Sequence, residues 1–313
     1  MTTKTFLPII IAILICTPAC IDDKQVAGDY PIQPVTFNQV ELDDDFWAPR
    51  IRLNHELTIP YAFEQSEQTG RVKNFEIAAG WEEGSFCSIY PFDDSDVFKI
   101  IEGASYSLNM FPDPELDQYV DELITKIDAA QEEDGYLYTN RTIMGDSAHP
   151  WAGSRRWELT HILSHELYNL GHMYEAGVAH YLATGKSTFL DICTKSADLL
   201  VKDFGWEKEE NYPGHQEIEV GLVKLYRVTN KPEYLELAKF FLDVREGGEE
   251  YSQSHMKVTE QDEAVGHAVR ANYMYTGMAD VAALTGDQEY IEAIDRIWDN
   301  VVSKKLYITG GVG

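Results

Sequence analysis

Apolar residues along this chain return at intervals of three and four through residues 97–110, 115–130, 161–183, 190–204, 216–228, 234–244, 264–284 and 290–302. That period gives each stretch one apolar stripe and predicts a helix in each. Residues 31–50 read differently. Val35, Phe37, Val40 and Leu42 lead into Phe46-Trp47 as an extended approach, and the helical pattern takes over from about Arg50. Strand signals are sparse after that point.

The joints between helices repeat. Thr184-Gly-Lys-Ser-Thr-Phe-Leu190, Thr229-Asn-Lys-Pro-Glu-Tyr-Leu235 and Thr285-Gly-Asp-Gln-Glu-Tyr-Ile291 share one plan. A Thr is followed by Gly or Asn and then by a charged residue. An aromatic and an aliphatic residue stand four and five positions beyond the Gly or Asn. Gly and Asn tolerate the left-handed conformation that ends a helix, and the next helix then starts with its aromatic turned back into the core. Asn109 to Tyr119, with Pro112 and Pro114, is a looser copy. Helical hairpins repeated in this way build a solenoid or a closed toroid. The uneven spacing and the long loops at 131–157 and 246–262 favour an all-α toroid whose loops form a cleft at one end.

The chain begins with Lys4, an apolar run from Phe6 to Ile15 and Cys16-Thr-Pro-Ala-Cys20. This is the layout of an export leader, and the run is too short to remain as a membrane span. The reading is a signal peptide over residues 1–19, lipidation of Cys20 and a polar tether over 20–30. The protein is then exported, periplasmic or at the cell surface, and meets the membrane only through that lipid. The other end, Tyr307-Ile-Thr-Gly-Gly-Val-Gly313, reads as an ordered loop opening onto further structure, so the chain is expected to be the front part of a longer enzyme.

About 290 residues follow the leader, enough for one large domain. With 53 acidic against 25 basic residues the net charge is −28, which excludes nucleic acid as a partner class. Apart from Cys16 and Cys20 the cysteines are Cys87 and Cys193, too few for a disulfide framework. The 18 Tyr, 13 Phe and 6 Trp suit a carbohydrate site, but they equally suit a helical core.

Histidines hold the candidate chemistry. His161, His165 and His172 fall on one face if 161–183 is a single helix, which leaves open a metal site. A neutral imidazole packed in a bundle and bonded to Tyr or Glu is the alternative for each. His215 precedes Glu217 and Glu219, two carboxylates that face apart on a helix and cannot work as a pair. His267 follows Asp262 and Glu263, either of which could be one member of a glycosidase pair. No Ser-His-Asp order, phosphate loop or dinucleotide fingerprint stands out.

Several of these segments together resemble a known family. Gly214-His-Gln-Glu-Ile-Glu219, Tyr174-Glu-Ala-Gly-Val-Ala179, Ala264-Val-Gly-His-Ala-Val-Arg270 and Tyr307-Ile-Thr-Gly-Gly311 are similar to the non-reducing-end β-L-arabinofuranosidases of glycoside hydrolase family 127, with family 146 a close relative. Phe46-Trp47, Asp94-Ser-Asp-Val97, Asp134-Gly-Tyr-Leu137 and Ser164-His-Glu-Leu-Tyr168 fit the same family, so the resemblance runs from about Val35 to Gly313. It implies that residues 31–313 are the N-terminal part of an (α/α)6-barrel catalytic domain, incomplete at its C-terminus and followed by β-sandwich domains. The implied activity is hydrolysis of terminal arabinofuranosyl residues, with an arabinose-containing glycan as partner. A cysteine nucleophile in a Zn2+ site of Glu and further cysteines, and a separate Glu acid/base, are implied downstream of Gly313. Cys87 and Cys193 do not match those positions. The implied sugar-contacting residues in this chain are His165, His215 and His267. Two other readings remain open: a non-catalytic sugar-binding lipoprotein, and another α/α-toroid enzyme such as an epimerase or lyase.

Overall fold

The computed structural model describes residues 28–313, so the leader, Cys20 and most of the tether fall outside the described residues. Twelve α-helices are formed: α1 (Trp47–Leu53), α2 (Ile59–Gln68), α3 (Arg71–Ala78), α4 (Asp94–Met110), α5 (Pro114–Ala130), α6 (Thr139–Met144), α7 (Glu166–Thr184), α8 (Thr188–Asp203), α9 (Ile218–Thr229), α10 (Pro232–Asp243), α11 (Ala268–Thr285) and α12 (Gln288–Asn300). Among the described residues the only β pairing is an isolated bridge between Phe204 and Glu209. Five hairpins stand side by side: α2–α3, α4–α5, α7–α8, α9–α10 and α11–α12. The first helices pack α2 on α4, α4 on α7, α7 on α9 and α9 on α11, an inner wall. The second helices form an outer wall through α3 on α5, α5 on α8 and α8 on α10. This is the all-α toroid that the hairpin repeat predicts.

The repeated joints explain how the outer wall is stitched. Gly185, Asn230 and Gly286 take φ of 75°, 56° and 67°, the left-handed cap. The preceding Thr hydroxyl donates back to the carbonyl four residues earlier, at 2.7 Å in all three (Thr184 to His180, Thr229 to Leu225, Thr285 to Val281). The same oxygen accepts from the backbone N–H two residues on, at 3.1–3.3 Å. The charged residue of the motif reaches the previous outer helix: Lys186 to Asp117 and Asp121, Lys231 to Asp198, and Asp287 to Lys239. The aromatic does the same, with the Tyr234 hydroxyl on Asp198 and that of Tyr290 on Asp243, both at 2.7 Å.

Three details depart from the sequence pattern. The stretch from Trp47 is already helical, and α2 and α3 have too few buried positions, Ile59, Phe63 and Ser66 and then Val72, Asn74 and Phe75, for a period to show. The helix expected over 161–183 starts only at Glu166, because His165 sits at φ 57°, outside helical space. His161, His165 and His172 therefore do not share a helical face. No described helix is long and apolar enough to cross a membrane.

Candidate functional site

Short turns occupy one end of the hairpins and long loops the other. The loops 131–165, 204–217 and 244–267 each end at the N-terminus of an inner helix, and each delivers a histidine there. His165 is the N-cap of α7, His267 the N-cap of α11, and His215 lies just before α9. The ring centroids of His165 and His215 are 5.4 Å apart and those of His215 and His267 are 6.2 Å apart. Residues widely separated in sequence thus make one cluster. His161 lies apart from them, contacting Asn211 and lining a cavity of about 380 Å³ with Leu163, Tyr212, Tyr251 and Arg270.

Close backbone approach fixes the cluster. A Cβ at Gly214 would lie 2.5 Å from the Ile162 carbonyl oxygen and 2.7 Å from that of His161, so only glycine lets the His215 loop press on the turn that carries His165. The Gly214 N–H donates to the Thr160 carbonyl at 2.6 Å. The Gly214 carbonyl accepts from Arg270 Nη1 at 3.0 Å, tying the loop to α11. Arg245, fully buried, holds the far side of the loop by donating to the carbonyls of Pro213 and Ser252. His165 at φ 57° and Glu217 at φ 151° are held in sparsely populated backbone regions by these contacts.

The hydrogen bonds define tautomers. His165 Nδ1 meets the Leu163 carbonyl at 2.5 Å and His215 Nδ1 meets that of Gln216 at 2.9 Å. A carbonyl only accepts, so each Nδ1 carries the proton and each Nε2 is an acceptor. His267 Nδ1 accepts from the Arg270 N–H at 3.4 Å, which makes its Nε2–H a donor. Burial pushes His165 down to about 4, against the raising effect of the Leu163 bond, and Arg270 and Lys99 lower it further. Burial likewise takes His215 down to about 3, opposed by the Gln216 bond and helped by His165, Arg270 and His267. Both imidazoles are neutral at pH 7 and present Nε2 as acceptors, with the Nε2–H of His267 as a donor beside them and Arg270 and Lys99 as the nearby cations.

Aromatic rings wall it. Phe92, just before α4, stacks on His165 at 4.5 Å. Tyr168 lies 4.4 Å from His215, and Tyr273 lies 5.7 Å from it. The same two tyrosines contact His172 on their other side, at 4.6 and 5.8 Å. Beneath them is a buried polar layer. His172 Nδ1 is 3.3 Å from Glu217 and 3.6 Å from Glu175. Burial, with the Glu175 carboxylate beside it, holds Glu217 far above the usual carboxylate range. For Glu175 burial acts the same way, but bonds from His172, Glu217 and Lys224 overcome it and hold the group low. Glu217 is thus a neutral acid and Glu175 an ion paired with Lys224.

Sequence reasoning reached the three histidines and missed their walls. Glu217, at the end of the loop before α9, lies beside Glu175 of α7, and the Glu219 carboxylate accepts from the Glu217 N–H at 3.1 Å. Asp262 is exposed, and Glu263 is taken up by Lys305 at 3.0 Å. Cys87 and Cys193 are both free thiols. Cys87 is exposed, while Cys193 is buried, where loss of solvation pushes its thiol up and leaves it inert.

Two groups of side chains come close enough to share a metal ion, Asp117–Asp121–His180 and His172–Glu175–Glu217. In each a lysine ammonium already sits on a carboxylate, Lys186 in the first and Lys224 in the second. Neither contains a cysteine. The described residues therefore do not fit the Glu-and-cysteine zinc site implied by the resemblance.

Fold and site together define a helical toroid with a histidine-lined pocket at its loop end, a class suited to a polyhydroxyl ligand. The chain belongs to the family described as "Beta-L-arabinofuranosidase, GH127 catalytic domain", whose model matches residues 39–313. It is 37% identical over 268 residues to a non-reducing end β-L-arabinofuranosidase of Bifidobacterium longum subsp. longum, covering 77% of this chain and 40% of that protein. A solved GH127 β-arabinofuranosidase superposes with a TM-score of 0.87 at 54% identity, covering 91% of this chain and 46% of the other. A GH127 β-L-arabinofuranosidase from Geobacillus stearothermophilus T6 gives 0.82 at 40% identity, covering 88% and 47%. The chain thus spans less than half the length of these relatives.

Proposed function

We propose that this chain forms one wall of the active-site pocket of a glycosidase that removes terminal β-L-arabinofuranosyl residues from glycans, and that His165, His215 and His267 bind the terminal sugar. The observation that carries this is the convergence of the three rings from three separate loops. A furanose presents several hydroxyls, each both donor and acceptor. Nε2 of His165 and of His215 would accept from two of them, and Nε2–H of His267 would donate to a third. The neutral rings of His165 and His215 do this without a charge of their own that would have to be desolvated with the sugar. Phe92, Tyr168 and Tyr273 limit the water that can compete for those bonds. Family membership supports the substrate class.

The same proposal assigns the nucleophile, the acid/base and the Zn2+ of the family's chemistry to residues outside these 313. What supports it is that Cys193 is inert and that neither metal-capable group fits. Export by the leader at 1–19 and a lipid on Cys20 also belong to it, supported by the leader's layout.

Calorimetry of the chain with methyl β-L-arabinofuranoside tests the reading. Saturable binding is expected, weakened about tenfold in His267→Ala, the loss of one hydrogen bond to an uncharged partner. Absence of binding, or unchanged binding in that variant, would overturn the sugar pocket. Hydrolysis of an aryl β-L-arabinofuranoside by this chain alone would overturn the assignment of the reactive groups elsewhere.

A further inference from the structure

Beside the histidine cluster, Phe92 continues into an aromatic group with Tyr90 and Trp151, two rings that the terminal-sugar pocket does not use. Tyr90 and Phe92 lie with ring centroids 5.3 Å apart and planes within 13°. Trp151 is 6.4 Å from Phe92 at 4° and 6.1 Å from Tyr90 at 16°. The three rings therefore share nearly one orientation. Core rings in the same molecule meet edge to face, as Tyr136 with Trp157 at 73° and Trp157 with Phe204 at 64°. Tyr90, Phe92 and Trp151 are offset-stacked instead, and together they present a set of faces of one orientation. The set is also partly open to solvent, with Tyr90 46% exposed and Phe92 and Trp151 half-buried.

The rings are held in place. Their backbone is pinned: the Trp151 main-chain N–H donates to His149 Nδ1 at 3.2 Å, and the His149 main-chain N–H donates to Asn140 Oδ1 at 2.9 Å. Arg141 clamps the next turn through the carbonyls of Ala152 and Gly153. Tyr90 and Phe92 belong to the turn that starts α4, where their carbonyls accept from the N–H groups of Asp93 and Ser95. Phe92 is continuous with the pocket, since its other neighbour is His165 at 4.5 Å.

We propose that Tyr90, Phe92 and Trp151 form a stacking subsite for the second sugar ring of the substrate, the one that carries the terminal arabinofuranosyl. A sugar ring has one face of C–H bonds, and an oriented, half-exposed aromatic surface accepts that face while leaving the hydroxyls in water. The subsite makes the chain prefer a disaccharide end over an isolated arabinofuranoside. This rests on the terminal-sugar reading of the histidine cluster.

The test compares two ligands on the same chain, methyl β-L-arabinofuranoside and the methyl glycoside of an L-arabinofuranosyl disaccharide. The disaccharide should bind about tenfold more tightly, the range expected for one stacked ring. Trp151→Ala should remove that excess and leave the monosaccharide affinity as it was, and Tyr90→Ala at the exposed ring should reduce the excess in part. The disaccharide, but not the monosaccharide, should also change the tryptophan fluorescence of the native chain, with the change lost in Trp151→Ala. Equal affinity for the two ligands, or an excess that survives both substitutions, overturns the subsite while the histidine pocket stands. Failure of both ligands to bind overturns the pocket and the subsite together.

Discussion

Glycine at position 171 is where the fold can be tested most sharply, because α7 crosses the start of α9 there. A Cβ built on Gly171 would lie 2.7 Å from the backbone carbon of Glu217 and 2.8 Å from its carbonyl oxygen. The obstruction is backbone, so no side-chain rotation relieves it, and the two elements must separate by about 1 Å to restore ordinary contact in a close-packed interior. Overpacking of this kind costs about 1–3 kcal/mol, and a rigid obstacle puts Gly171→Ala near the upper end. Alanine recovers up to about 1 kcal/mol through its better helix propensity, leaving a net loss of about 2 kcal/mol. That corresponds to a Tm lower by about 3–4 °C for a domain of this size. Gly103 in α4 is the control, since nothing lies within 4 Å of a Cβ there. Gly103→Ala should raise stability by about 0.5–1 kcal/mol. Thermal melts followed by circular dichroism read both. The same displacement moves Glu217 and, two residues away, His215, so Gly171→Ala should also bind sugar more weakly. The packing argument fails if Gly171→Ala melts at or above the wild-type temperature, or if the two substitutions behave alike.

Other outcomes follow from the same structure. His165 and His215 have folded-state values of about 4 and about 3 against 6.5 unfolded, so the unfolded chain binds more protons. Their contribution to stability is fully present above pH 6.5 and is lost as pH falls towards 4 and 3; imidazole nitrogen NMR should find both rings neutral at pH 5.5, and a charged ring there would refute it. Thr229→Val removes the hydroxyl that bonds the Leu225 carbonyl and the Lys231 N–H, and should cost about 1 kcal/mol, read as a small fall in Tm. The first and last hairpins and the segments flanking them expose Leu53, Leu57 and Tyr61 at one end and Trp298, Val302 and Leu306 at the other, so the chain should self-associate with concentration in sedimentation velocity, where a strict monomer would count against it.

The last three hairpins were legible in the sequence because their joints are local: a Thr, a left-handed Gly or Asn and an aromatic act within seven residues of one another. The starts of the inner helices were not. They are set by long loops pressing on each other, as Gly214 presses on the 160–162 turn, and apolar periodicity runs straight across such a boundary. The three histidines were found by family resemblance, since spacing alone pointed to His161, His165 and His172 on one face. Tyr168 and Tyr273 sit at positions indistinguishable in sequence from core aromatics. The Glu175–Glu217 pair was invisible because Glu175 lies within α7 and Glu217 in the loop before α9, far apart in sequence.

The most direct measurement of the central claim is a titration of the histidine-labelled chain with methyl β-L-arabinofuranoside, following each imidazole by NMR. If the three rings form one sugar site, the resonances of His165, His215 and His267 shift together along one binding curve. His149 and His161 should not follow that curve. Shifts of only one of the three, curves with different midpoints, or saturable binding that leaves all three unmoved would contradict a shared pocket.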